Sequence, residues 1–144
     1  MIPAPPPAPG RILETLKPSH PRLLLRGDTI ERIRATAAAD PVAARCLASV
    51  RESAAKILGQ PPSQYEIADG RRLLPVSRQV KDRVQTLGLA FLLDGDARLR
   101  DRLWAELEAA ARFKDWNPKH FLDTAEMIYG LAIGYDWLYD QWTE

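Results

Sequence analysis

The segment from Ser77 to Asp140 constrains the fold most, because it alternates two kinds of helix. "RQVKDRVQTLGLAFLLDGD" is apolar on every side from Thr86 to Leu93, as a helix with neighbours all round must be. "ARLRDRLWAELEAAARF" is amphipathic, with Leu99, Leu103, Trp104 and Leu107 predicted inward and Arg and Glu outward. The helix predicted from Thr124 to about Tyr139 is again apolar nearly all round. A buried helix, a half-exposed one and another buried one in succession suit a double ring with inner and outer helices. The expected fold class is therefore all-α, a partial (α/α) toroid. A plain antiparallel bundle satisfies the same periodicity and stays open as the competing architecture.

Upstream, Asp28 is placed to cap a first helix, with Ile30, Ile33 and Ala37 on one face. Asp40-Pro41 pairs a cap with a proline at the first helical position, and this second helix should run to about Leu58 and end at Gly59. "YEI" and "RRLL" flank "ADG", which predicts one short β-hairpin. Ser77 is placed to cap the next helix, and Asp123 the last. Residues 1–17 form a Pro-rich tail or linker, without the apolar core of about 7–15 residues that an intact secretion signal carries. Residues 18–144 form the helical domain. Thr143 followed by an acid reads as the start of a further helix, so the chain is expected to be the front piece of a larger protein. A ring cut open exposes apolar surface, which favours association and a homo-oligomer.

Net charge is +1, so composition gives no reason to expect nucleic acid. No apolar run approaches the roughly 20 residues of a membrane span. Cys46 stands alone, which excludes an internal disulfide and a Cys-based metal site. No metal or cofactor is expected, and no phosphate-binding loop, dinucleotide glycine pattern or serine-nucleophile elbow occurs.

In a ring, the loops that enter inner helices lie at one end. "YEIADGRRLLPVSRQ" and "FKDWNPKHFLD" should then be neighbours. Together they carry Arg71, Arg72, Arg78, Lys114, Lys119 and His120, with Tyr65 and Trp116 as aromatic rims. Such a surface on a nearly neutral chain fits an anionic ligand with apolar sugar faces, and helix N-termini beneath it add partial positive charge. The expected binding set is His120, Asp123, Glu126, Arg71, Arg72, Arg78 and Trp116. Asp123 and Glu126 also fit a capping box, Asp at the cap and Glu at the third position. His120 and His20 each have a structural reading, as hydrogen-bonded side chains. Asn117-Pro118 reads as a turn. Trp104, Met127, Trp137 and Leu138 read as core.

"HPRLLL", "YEIADGRRLLPVSRQ" and "WNPKHFLDTAEMIYGLAIGYDWLYD" resemble, in order and spacing, the N-terminal region of the heparinase II/III family of polysaccharide lyases. The resemblance spans about Ser19 to the end. It implies a secreted or periplasmic bacterial enzyme with an incomplete α/α toroid followed by β-sandwich domains. Such an enzyme cleaves uronate-containing glycans (heparin, heparan sulfate or alginate) by β-elimination. A Tyr assisted by a His moves the proton, while Asn, His or Glu neutralises the uronate carboxylate. The family's catalytic motif lies beyond this chain, and Tyr129, Tyr135 and Tyr139 are outside it. The resemblance therefore implies cleft-lining residues here and no catalytic ones. The partners expected are an acidic polysaccharide and the rest of the parent chain. A non-catalytic helical module that binds glycan or protein is the alternative.

Overall fold

The computed structural model describes Glu14 and residues 16–142. The Pro-rich tail up to residue 13, and the helix start expected at Thr143, lie outside the described residues. Five helices follow in order: α1 (Thr29–Ala39), α2 (Pro41–Leu58), α3 (Leu74–Asp94), α4 (Ala97–Ala111) and α5 (Phe121–Trp137). A 3₁₀ turn, Tyr139–Gln141, follows α5. The described residues are all-α, with no strand among them.

Local chemistry sets several boundaries, the start of α2 as expected. The Asp40 carboxylate accepts from the Val42 amide at 2.8 Å with Pro41 in the first turn, which starts α2. Gly95 adopts φ 70° and its amide donates to the Phe91 carbonyl at 2.7 Å, which closes α3. Asp96 accepts from the Arg98 amide at 3.0 Å and starts α4.

Other boundaries differ. Asp28 precedes α1 without a capping hydrogen bond from its side chain. Ser77 is buried inside α3, which begins at Leu74 with Pro75 in its first turn. A proline costs no hydrogen bond there, because first-turn amides have no partner within the helix. Asp123 lies in the first turn of α5 and does not cap it. The expected hairpin is absent. The Asp69 carboxylate accepts from the backbone amides of Arg71 at 2.9 Å and Arg72 at 2.7 Å, which curls the chain onto itself and uses donors a strand ladder needs.

Helix α3 is the centre and touches each of the other four helices. Its Val80, Val84 and Leu87 are fully buried with Leu103 of α4 and Met127 and Ile133 of α5. Two glycines bring α5 onto α3. A β-carbon at Gly130 would lie 3.0 Å from Lys81 Cα, and one at Gly134 would lie 2.9 Å from Val84 Cγ1. They stand four residues apart, so both face α3. Helix α1 buries no residue and sits at the periphery.

Helix α5 corrects the expectation of all-round burial. Met127, Ile133 and Trp137 are buried, but Phe121, Ile128, Tyr129 and Tyr135 are exposed, Tyr135 by 57%. Trp104 is 50% exposed where an inward position was expected, and it packs beside Trp142 with ring centroids 5.1 Å apart. No helix among the described residues is long and apolar enough to cross a membrane.

Three buried carboxylates fasten the non-helical segments to this core. Asp136 of α5 accepts from the Arg22 and Leu23 amides, both at 2.8 Å, and meets His20 Nδ1 at 2.7 Å. His20 also stacks on Tyr139 at 3.9 Å. Glu106 of α4, 0% exposed, accepts from the Ser63 amide at 3.2 Å and from Arg102 Nη1 at 2.8 Å, with Arg83 Nη1 at 3.5 Å. The third is Asp123.

Candidate anion-binding site

The turn before α3 and the loop before α5 adjoin. Asn117 takes a left-handed conformation, φ 51°, which Asn tolerates better than most residues. This bends the loop so that its side chain turns inward. Asn117 Nδ2 donates to the Arg71 carbonyl at 2.9 Å and to Asp123 Oδ2 at 2.7 Å. The same carboxylate oxygen accepts from the Leu73 amide at 2.7 Å. One buried carboxylate thus joins both loops and the start of α3. Across the junction, the Tyr65 hydroxyl donates to Asp115 Oδ1 at 3.0 Å.

Above this junction lies an open cavity of about 720 Å³, lined by Ile67, Gly70, Arg71, Arg72, Asn117, Lys119 and His120. Its charged side chains are cationic. The Arg71 guanidinium and the Lys119 ammonium have no ion-pair partner among the described residues. Arg72 gives its Nε to Asp69 at 2.7 Å and keeps its terminal nitrogens free. That bond, with the two backbone amides, holds Asp69 well below the ordinary carboxylate range.

His120 is 39% exposed and its Nδ1 lies 2.7 Å from Asp123 Oδ1. Asp123 is 0% exposed. Burial pushes its carboxyl upward, but hydrogen bonds from His120, Asn117 and the Leu73 amide outweigh burial and leave the group below its usual value. It is a carboxylate at neutral pH, and it lies beneath the cavity.

The structure brings together Arg71, Arg72 and His120 of the expected set with Asp123 beneath them, and puts Glu126, Arg78 and Trp116 elsewhere. Glu126 neither caps α5 nor lines the cavity. It pairs with Lys81 at 2.8 Å and Arg78 at 3.4 Å, and the Lys81 bond is the main cause of its lowered pKa. Trp116 turns inward against the core and donates Nε1–H to the Ala110 carbonyl at 3.0 Å. Lys114 stands over the Tyr65 ring, 4.7 Å from its centroid. Asn117 is the residue missed by reading Asn-Pro only as a turn. Its signal was an amide side chain in a loop otherwise rich in charge.

Among the described residues, no group of three His, Cys, Asp or Glu side chains is arranged to hold a metal ion. The arrangement offers three cations, one imidazole and a rigid floor, which suits an anion larger than a single ion. No protein-family model matches the chain, and no curated protein matches it.

Proposed function

We propose that the chain is the N-terminal helical part of a polysaccharide lyase, and that its basic cavity holds an acidic glycan of the uronate class. The observation that carries this reading is the junction of two loops, 46 residues apart at Arg71 and Asn117, into one cationic cavity on a nearly neutral chain. Guanidinium groups suit carboxylates and sulfates, because their paired N–H donors match two acceptor oxygens. The resemblance of "GRRLLPVSR" and "HFLDTAEM" to the heparinase II/III lyases covers the ends of these two loops and the first turns of α3 and α5. Helix α3 at the centre, packed against both α4 and α5, is compatible with the inner and outer layers of a toroid.

The proposed role is binding, with proton transfer carried by a part of the parent enzyme beyond this chain. Tyr129, Tyr135 and Tyr139 do not line the cavity. The phenol of Tyr65 is raised by burial and by Asp115, so it stays protonated and is a poor base. This observation equally favours the second reading, a non-catalytic module for acidic glycans. A periplasmic or secreted location belongs to the lyase reading.

The test is titration with size-defined heparan sulfate and alginate oligosaccharides. Replacing Arg71 and Arg72 together by Ala should weaken binding about tenfold or more, and added salt should weaken it in the parent protein. The same change at Arg98 of α4 and Arg112 just after it, both exposed, should leave it within about twofold. Equal losses from both pairs would mean attraction to net charge, not a site. Unsaturated-uronate absorbance from this chain alone would overturn its non-catalytic role.

A further inference from the structure

The cavity contains more than positive charge. Its cationic side chains only donate hydrogen bonds, and both donors of the Asn117 amide are committed to Arg71 and Asp123, which leaves that side chain only its oxygen as an acceptor. His120 offers a second acceptor, on an exposed ring. Its Nδ1 faces a carboxylate, and a carboxylate only accepts, so the proton of a neutral His120 is on Nδ1. The other ring nitrogen, Nε2, therefore carries a lone pair. It has no partner among the described residues, and the ring lines the cavity. The two nitrogens point in diverging directions, so anchoring Nδ1 on the buried floor leaves Nε2 toward the open side.

We propose that His120, held as the Nδ1–H tautomer by Asp123, is a hydrogen-bond acceptor by which the cavity selects anions that also carry a hydroxyl. A bare carboxylate offers Nε2 nothing, since neither partner supplies a proton. A sugar acid offers its carboxylate to Arg71, Arg72 and Lys119 and an O–H to Nε2. A site built to pair with a hydroxyl discriminates against ligands that lack one, because the acceptor then stays unpaired on binding. The inference rests on the anion-binding reading of the cavity and assigns its specificity to one atom.

The experiment compares D-glucuronate with propionate, both singly charged at neutral pH, by amide-shift titration of the whole chain. Glucuronate should bind about tenfold more tightly, with shifts at Arg71, Arg72 and Lys119. In His120→Phe, which keeps a ring and removes the acceptor, the two probes should bind within about twofold of each other. A preference that survives in His120→Phe overturns the assignment, as do equal affinities in the parent protein. If neither probe moves those amides, the anion-binding reading falls as well. A separate measurement needs no ligand. Two-bond ¹⁵N–¹H correlation should place the proton of neutral His120 on Nδ1, and a proton on Nε2 overturns the assignment even if both anions bind.

Discussion

Asn117 and Asp123 meet through a 2.7 Å hydrogen bond beneath the cavity, and Asp123 gathers three donors there, two from the loop before α5 and one from the turn before α3. Asp123→Ala leaves the Leu73 amide and the Asn117 side chain short of a partner in a buried setting. Each such group costs about 1–3 kcal/mol. The variant should lose about 2–5 kcal/mol in urea unfolding and should broaden the amide signals of Arg71 to Leu73.

Acid should weaken the fold by the same route. The Asp123 carboxyl lies below its ordinary value, so its contribution is complete where an unfolded carboxyl is ionised and is lost as pH falls through the folded value. Asp94, held down by Arg51, and Glu126, held down by Lys81, act in the same direction. Thermal midpoints should be flat above about pH 5 and fall below about pH 4. Asp123→Asn should flatten the fall. A midpoint that rises on acidification would contradict these assignments.

Helix packing gives a third test. Gly130→Ala puts a methyl 3.0 Å from the Lys81 backbone, which cannot move aside as a side chain can. Better helix propensity returns about 1 kcal/mol, and overpacking costs about 1–3 kcal/mol. The net effect should be destabilising by up to about 2 kcal/mol, with α3 and α5 forced apart. Ala at Gly59 meets only ordinary contact at 3.7 Å and should be close to neutral in the same unfolding measurement.

Glu106 gives a fourth. It is fully buried between Arg102 and Arg83, both largely buried themselves. Glu106→Ala strands two guanidiniums and should cost about 3–5 kcal/mol. Removing Glu52, whose ion pair with Lys56 is exposed on α2, should leave the urea midpoint unchanged within error.

The legible parts of the fold were those whose causes lie a few residues away. Asp40, Gly95 and Asp96 act on amides and carbonyls within four positions, so their roles can be read from spacing. Ser77 and Asp123 each look like a cap in the same local code. One partner of Asp123 is the Leu73 amide, 50 residues away, and no periodicity reports that pairing. The hairpin is replaced for a local reason: Asp69 turns its own carboxylate onto the next two amides it can reach. Arg71, Arg72 and His120 could be grouped beforehand because loops entering neighbouring helices share one end. Glu126 and Trp116 could not be placed, because a short rotation about a helix or loop decides between cavity, ion pair and core.

The buried carboxylates on α4 and α5 also set a timetable for opening. The amides of Arg22, Leu23, Ser63 and Leu73 lie outside the helices yet bond to Asp136, Glu106 and Asp123. Loop amides ordinarily exchange with solvent through small local fluctuations. These four can do so only when the helix holding each acceptor lets go. In deuterium they should therefore keep their protons about as long as the interior of α3, while the neighbouring amides of Arg71 and Arg72, bonded to exposed Asp69, exchange early. Fast and slow positions would then adjoin within one turn, and the rim would behave as a rigid extension of the core carrying a quick-exchanging edge.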